Sequence, residues 1–440
     1  MTRSTVRSAA LYERARRTIA GGVSSDARRM PGVPLFVDHA RGAELWDVDG
    51  NRYIDYVLGQ GPNLLGHAAP VVQQAVKAQV SRGVTYSAQH ELEAEAAELI
   101  TEMVPCAELV RFNSVGSEAV HAALRLARGH TGRSKVVKFE GDYHGWLDPV
   151  LYSVHPDLAA AGGPEELRAV PGTIGQTPHS SDELIVLPHN DLEAVRAAFA
   201  AHGPDIAAVI VEPFLCNTGA IMPVPGFLEG LRALTREHGS LLVFDEIISG
   251  FRVAPGGAQE LLGVTPDLAT FGKAMAGGMQ VSALAGSRVV MDSITDGTVA
   301  HAGTFNSHPV AMAAAVAVLR TLHEQRDEIY PPMMRRGEQL MASLQSCAKD
   351  AGVPMLVEGT GAVFQTYLTE ATAVHNYRDF AATDRAAMGR LHQRLLDRGV
   401  SIVPRGLWFL STEHTEVHLA ETVEAVAASL RELDDAEVDR

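Results

Sequence analysis

From about residue 70 the apolar positions alternate between two rhythms. Helical spacing predicts helices over residues 70–82, 91–103, 117–128, 191–201, 226–238 and 307–326. Between them lie short, continuous β-rich apolar runs, which predict strands at 109–112, 136–139, 207–211, 241–244 and 268–271. Apolar strands alternating with helices predict an α/β fold whose large sheet is mostly parallel and covered on both faces. Upstream the pattern differs. An amphipathic helix over 9–19 leads to a Gly21-Gly22 joint, and segments 35–37 and 44–47 flank a turn at Arg41-Gly42. Asp49-Gly50 is a strong hairpin turn before 53–55, so this opening reads as antiparallel. Past residue 330 come a long helix, strands at 355–358 and 361–367, and further helices. The predicted plan is a large domain over 67–312 and a small α+β domain drawn from both ends, 1–66 and 313–440.

Composition narrows the class. With 46% hydrophobic and 20% charged residues, a disordered or fibrous chain is excluded. The 37 Lys and Arg against 53 Asp and Glu leave a net charge of −16, which repels phosphate backbones over the general surface and argues against a nucleic-acid partner. A local anion pocket is still allowed. Cys106, Cys216 and Cys347 lie far apart with no C-x-x-C, so neither a disulfide framework nor a zinc site is expected, and a reducing cytoplasm fits. No apolar run approaches about 18 residues, so no membrane span is expected. The arginines among the first seventeen residues have a faint transit-peptide flavour. Glu13 and the lack of an apolar stretch favour a surface helix of a cytoplasmic protein instead.

In open α/β sheets ligands bind beyond the carboxyl ends of the strands. Four predicted strands end in chemistry: Glu140 to Trp146 after the first, Glu212-Pro213, Asp245-Glu246, and Gly272-Lys273. A lysine after a strand is most often a solvated surface charge. Lys273, however, stands between Gly272 and the uncharged run from Ala274 to Met279, a setting that disfavours the ammonium and favours the neutral amine needed for a Schiff base. It is no phosphate-loop lysine, because Ala274 follows it and Asp267 stands where that loop needs glycine. Asp245 ends a buried strand and needs a cation or strong donor; a protonated pyridine nitrogen and Arg252 are equally open partners. The run from Arg111 through Gly116 and Ser117 to Ala119 passes from strand into helix. Its free N–H groups and the Ser117 hydroxyl suit a dianion, although Ser117 could simply cap its own helix. Lysine, aspartate, an aromatic ring at Tyr143 and an anion-binding helix start are together the parts of a pyridoxal 5′-phosphate site.

With these parts in view, the chain resembles the class III, fold-type I pyridoxal-phosphate aminotransferases, most closely the branch containing glutamate-1-semialdehyde 2,1-aminomutase. The resemblance runs from about Tyr12 to Val426. It is carried by Leu242-Val243-Phe244-Asp245-Glu246, Phe251-Arg252-Val253, Pro266-Asp267-Leu268 with Gly272-Lys273, and Ala302-Gly303-Thr304-Phe305. It implies Lys273 as the Schiff-base lysine, Asp245 at the pyridine nitrogen and Tyr143 on the ring face. Gly116 and Ser117 would hold the phosphate. Thr304 would reach the phosphate of the neighbouring subunit, implying a homodimer with shared sites. Arg28, in a segment from Gly21 that looks like the family's N-terminal one, would bind the substrate carboxylate, although a solvated Arg28-Arg29 pair is the bland alternative.

Three departures from the aminomutase pattern point away from an intramolecular reaction. Val115 stands where a serine is expected, the run Tyr86 to His90 lacks the usual small residues and proline, and the amino-handling glutamate near the C-terminus is not recognisable. Val403-Pro404-Arg405-Gly406-Leu407 instead resembles the aminotransferases of β-amino and aryl amino acids, in which this arginine helps bind a carboxylate. The expected activity is therefore amino transfer from an amino-acid donor to a keto-acid acceptor such as 2-oxoglutarate or pyruvate. Lys273 would act as base and then acid, and Arg405 would take the distal carboxylate. Trp146 and Trp408 could line an apolar substrate pocket, but core packing is the expectation for both. The aminomutase and a non-catalytic cofactor-binding protein are the alternatives. Retention of both Lys273 and Asp245 counts against the latter, while decarboxylase or racemase chemistry on the same fold stays open.

Overall fold

Strand Leu241–Glu246 is buried at every position, which is the signature of a central strand covered on both faces. Its alternate residues serve two cores. Leu241 and Val243 pack with Val120, Leu124, Ile210 and Met291 on one face, and Leu242 and Phe244 pack with Phe139, Val211 and Met312 on the other. A computed structural model describes residues 3–30, 32–163, 166–177 and 179–433. Its seven-stranded sheet runs Leu109–Asn113, Ser282–Gly286, Leu268–Phe271, Leu241–Glu246, Ile206–Val211, Lys135–Phe139, Leu184–Leu187. Every strand points the same way except Ser282–Gly286, which is antiparallel to both neighbours. The fold is the expected α/β architecture, with two strands the apolar pattern did not reveal: Leu184–Leu187 at the edge and Ser282–Gly286 inside.

Two smaller sheets join distant parts of the chain. Val37–Arg41, Glu44–Asp47 and Arg52–Asp55 form an antiparallel meander, onto which Val400–Ser401 adds in parallel, Val400 opposite Ile54. Met355–Thr360, Val363–Leu368 and Leu407–Phe409 form the third sheet. The Asp49-Gly50 turn forms as expected. Gly50 has φ 88°, and Asp47 Oδ1 accepts from the N–H groups of Asp49 and Asn51 at 3.0 and 2.8 Å.

The first helix differs from its expected span, running over Val6–Ala15. Its early start has a tertiary cause. The Asp49 carboxylate, from the hairpin turn, accepts the N–H groups of Arg7 at 2.7 Å and Ser8 at 2.9 Å, two of the donors a helix start leaves unpaired. No helix among the described residues is long and apolar enough to cross a membrane.

Candidate active site

The four strands that end in chemistry are four adjacent strands of the large sheet, so their carboxyl ends converge. Lys273, Asp245, Glu212 and Tyr143 with His144 line one cavity of about 250 Å³, and Gly116, Ser117, Trp146 and Asn217 complete its wall. Lys273 has φ 41°, a left-handed conformation that a residue with a long side chain adopts only where its surroundings enforce it. Burial pulls its amine down to about 8, with Glu212, Cys216 and Asp245 opposing that shift and Arg405 adding to it.

Asp245 is 5% exposed. Its Oδ1 accepts from Thr270 Oγ1 at 3.1 Å and the Ile247 N–H at 3.2 Å, while Oδ2 faces His144 Nδ1 at 2.8 Å. Arg252 is not its partner. That guanidinium is buried elsewhere, donating to the carbonyls of Leu410 at 2.8 Å, Ala362 at 3.3 Å and Gly61. Glu212 accepts the N–H groups of Tyr143 at 2.9 Å, Cys216 at 3.0 Å and Asn217 at 3.2 Å, and the Asn217 amide at 2.9 Å. Burial, with the charges of Asp142 and Asp245, pushes Glu212 up to about 7. His144 lies between two carboxylates. Burial would lower it, but Asp142 and Asp245 outweigh burial and raise it to about 9. Asp142, although burial raises it, is held at about 2 by His144 and His189.

At the other end of the cavity the helix Gly116–Thr131 begins. Its cap is not Ser117. Glu118 reaches back to accept the N–H groups of Ser114 at 2.9 Å and Val115 at 3.2 Å, which leaves the Ser117 hydroxyl on the cavity wall. Two glycines keep this end open. A Cβ on Gly116 would meet Ile247 Cδ1 at 3.0 Å, and one on Gly145, at φ 97°, would meet Ser117 Oγ at 2.5 Å. An amine with a lowered pKa, a buried carboxylate and a glycine-walled helix start therefore suit pyridoxal 5′-phosphate.

The remaining expected residues are dispersed. Trp146, expected in the core, is instead 74% exposed at the cavity wall, because Gly145 turns the chain outward at a positive φ. Trp408 is the core aromatic, its Nε1 donating to Thr366 Oγ1 at 3.2 Å. Arg405 lines a neighbouring cavity of about 250 Å³ with Gln365 and Met388, and its guanidinium lies 3.5 Å from the Cys216 carbonyl. Thr304 borders a separate cavity of about 810 Å³ with Arg111, His301 and Tyr86. Arg28 is exposed at the end of the short helix Asp26–Arg28 and borders neither of the cavities holding Lys273 and Arg405. The ionic chain of Asp142, His144 and His189 was not anticipated. His144 and Asp142 follow a strand end, but nothing in their spacing shows that His144 faces Asp245 and Asp142 faces His144.

Fold and site together define a pyridoxal-phosphate-dependent transferase of fold type I. The chain belongs to the class-III aminotransferase family, whose pattern it matches over residues 25–427. It is 40% identical to a glutamate-1-semialdehyde 2,1-aminomutase of Desulfitobacterium hafniense, over 97% of this chain and 98% of that one. Among solved structures it resembles an omega-transaminase from Sphaerobacter thermophilus, with TM-score 0.92, 36% identity and coverage of 97% and 98%. It also resembles a β-phenylalanine aminotransferase from Variovorax paradoxus, with TM-score 0.86, 33% identity and coverage of 96% and 93%.

Proposed function

We propose that the protein is a two-substrate aminotransferase, moving an amino group from a β- or aryl amino acid to a keto acid such as 2-oxoglutarate or pyruvate. The observation that carries this reading is the Arg405 guanidinium. It lies half-buried beside the Lys273 cavity, and its Nε has no hydrogen-bond partner among the described residues, in the way a site awaits an anion. Burial lowers its pKa, and Glu212 works against that shift. A donor and an acceptor that must each be oriented by a carboxylate have use for such a cation; an intramolecular rearrangement has less.

Pyridoxal phosphate, when bound, supplies the electron sink for the carbanion at the substrate's reacting carbon. The chain's residues would do the rest. Lys273 Nζ would take the proton from the amino-bearing carbon as general base, a task for which an amine lowered to about 8 is suited. Asp245 would hold the ring nitrogen, Tyr143 would cover the ring face, and Gly116 with Ser117 would hold the phosphate. Arg405 would orient the distal carboxylate, and the donor carboxylate would fall to Arg28 only where the dimer brings that exposed segment to a site. Trp146, with Val115 on the same wall, offers an apolar surface to an aryl side chain. We further propose a homodimer in which Thr304 completes the partner's phosphate site, and a cytoplasmic location, where three free cysteines stay reduced.

The aminomutase is the second reading, favoured by the 40% identity to an enzyme of that name. An absorbance half-reaction separates the two. A two-substrate enzyme loses the visible band of its bound cofactor on adding β-phenylalanine, an α-amino acid of either hand or glutamate, and regains it with 2-oxoglutarate or pyruvate. Silence with every donor, together with turnover of glutamate-1-semialdehyde alone, would establish the aminomutase. In the Arg405→Gln variant, recovery with 2-oxoglutarate should weaken by on the order of 10²-fold, the loss of one charge-assisted pair.

A further inference from the structure

Behind Asp245 lies a chain of buried ionisable groups that the proposed reaction does not use. His144 Nδ1 is 2.8 Å from Asp245 Oδ2, His144 Nε2 is 3.4 Å from Asp142 Oδ2, and His189 Nδ1 is 3.6 Å from Asp142 Oδ1. All four residues are at most 5% exposed. Among the described residues His144 Nε2, Asp142 Oδ1 and both His189 ring nitrogens make no hydrogen bond, and the ion-pair contacts above are what His144 Nε2, Asp142 Oδ1 and His189 Nδ1 have in their place. Asp142 Oδ2 also accepts the Glu212 N–H at 3.0 Å, which ties the chain to the next strand. The rings of Phe139 and Phe227, with centroids 5.6 and 5.2 Å from that of His189, hold the far end in place.

We propose that Asp142 and His189 are positioning residues: through His144 they fix the orientation and charge of the Asp245 carboxylate that faces the cofactor's ring nitrogen. This rests on the proposed role of Asp245. An imidazole with a carboxylate at each nitrogen is satisfied only when both nitrogens donate, which requires the imidazolium. Asp245 then stands beside a fixed cation, which holds its Oδ2 in one orientation at the site. The groups facing this chain are Glu212 and Lys138, both of which feel the Asp142 charge, and Lys273, whose amine feels Asp245. Without the Asp142 charge, His144 keeps one carboxylate against the same burial and becomes neutral within the working pH range. Asp245 then loses its adjacent cation.

The test uses Asp142→Asn, Asp142→Glu and His189→Gln in the full-length protein. Ring-nitrogen NMR of His144, assigned with His144→Gln, should show both nitrogens protonated near neutral pH in the wild type. Its midpoint should fall by about one pH unit or more in Asp142→Asn, about tenfold in proton affinity. Asp142→Glu should restore it, and His189→Gln, which frees the Asp142 carboxylate to turn, should shift it by a smaller amount. In the cofactor-loaded protein, Asp142→Asn should show a new inflection in cofactor absorbance between about pH 6 and about pH 10. Adding His144→Gln should abolish that inflection. A His144 midpoint unmoved in Asp142→Asn, or in His189→Gln where Asp142→Asn does not fold, would overturn the proposal. Cofactor affinity unchanged in Asp245→Ala would instead sink the role of Asp245, leaving the NMR result on His144 to stand by itself.

Discussion

A buried lysine and a half-buried one stand in and just beyond the same sheet and share one electrostatic fate. Lys138, inside strand Lys135–Phe139, and Lys273, just beyond Leu268–Phe271, are each pulled down to about 8, and in each case burial is the leading cause. What differs is what the amine touches. Lys138 Nζ donates to the carbonyls of Asp142, at 3.0 Å, and Tyr152, and it is fully enclosed. Lys273 borders a cavity, with a strained backbone aiming it there and no hydrogen bond among the described residues. A lowered lysine pKa therefore does not by itself mark a reactive amine. An enclosed amine whose donors are already engaged is a structural tie, whereas one with its lone pair facing open space can attack a carbonyl.

Substitution should separate the two most sharply at Lys273. Lys273→Ala is expected to lower amino transfer by on the order of 10²–10⁴-fold or more. Without the cofactor, its thermal unfolding should stay close to wild type, because the side chain makes no hydrogen bond among the described residues. A half-reaction followed by absorbance, with a melting curve beside it, checks both. Lys138→Met should do the reverse, losing about 1–3 kcal/mol for each carbonyl left unpaired while the cofactor half-reaction persists.

The pH dependence of stability sharpens the same contrast. For a lysine whose folded pKa is about 8 against an ordinary 10.5, the unfolded chain binds more protons between those values. Stability therefore rises with pH across that window, and the penalty is fully present below it. Urea titrations should show a smaller rise from pH 8 to 10.5 in Lys138→Met than in the wild type.

The legibility of the molecule in its sequence divides along similar lines. Lys273, Asp245, Gly116 and Ser117 were visible because each ends or follows an apolar strand, and strand ends converge in a parallel sheet. Leu184–Leu187 is only four residues long and follows a polar turn. Ser282–Gly286 has no β-branched or aromatic residue, so neither composition nor alternation announced it. The ionic chain was hidden for another reason. His189 follows the missed strand Leu184–Leu187, and its approach to Asp142 exists only once strand Lys135–Phe139 pairs with that neighbour. The helix start at Val6 was equally invisible, since its cap comes from Asp49 across the fold.

Trp146 gives the finest test, because it shares the wall of the Lys273 cavity yet contributes little to the core. At 74% exposure it buries too little area to matter for folding, so Trp146→Ala should change stability by less than about 0.5 kcal/mol. A substrate aryl group resting on the indole would feel the loss. Burying part of a ring against another is worth about 0.5–1.5 kcal/mol beyond area, a factor of roughly 2 to 13. KM for an aryl donor should rise by that factor while kcat holds and while a small aliphatic donor is unaffected. Equal rises for both donors would mean that Trp146 shapes the cavity wall without meeting the side chain. A large stability loss would mean that its exposed face is covered in the assembled protein, placing the indole at the contact between two copies of the chain.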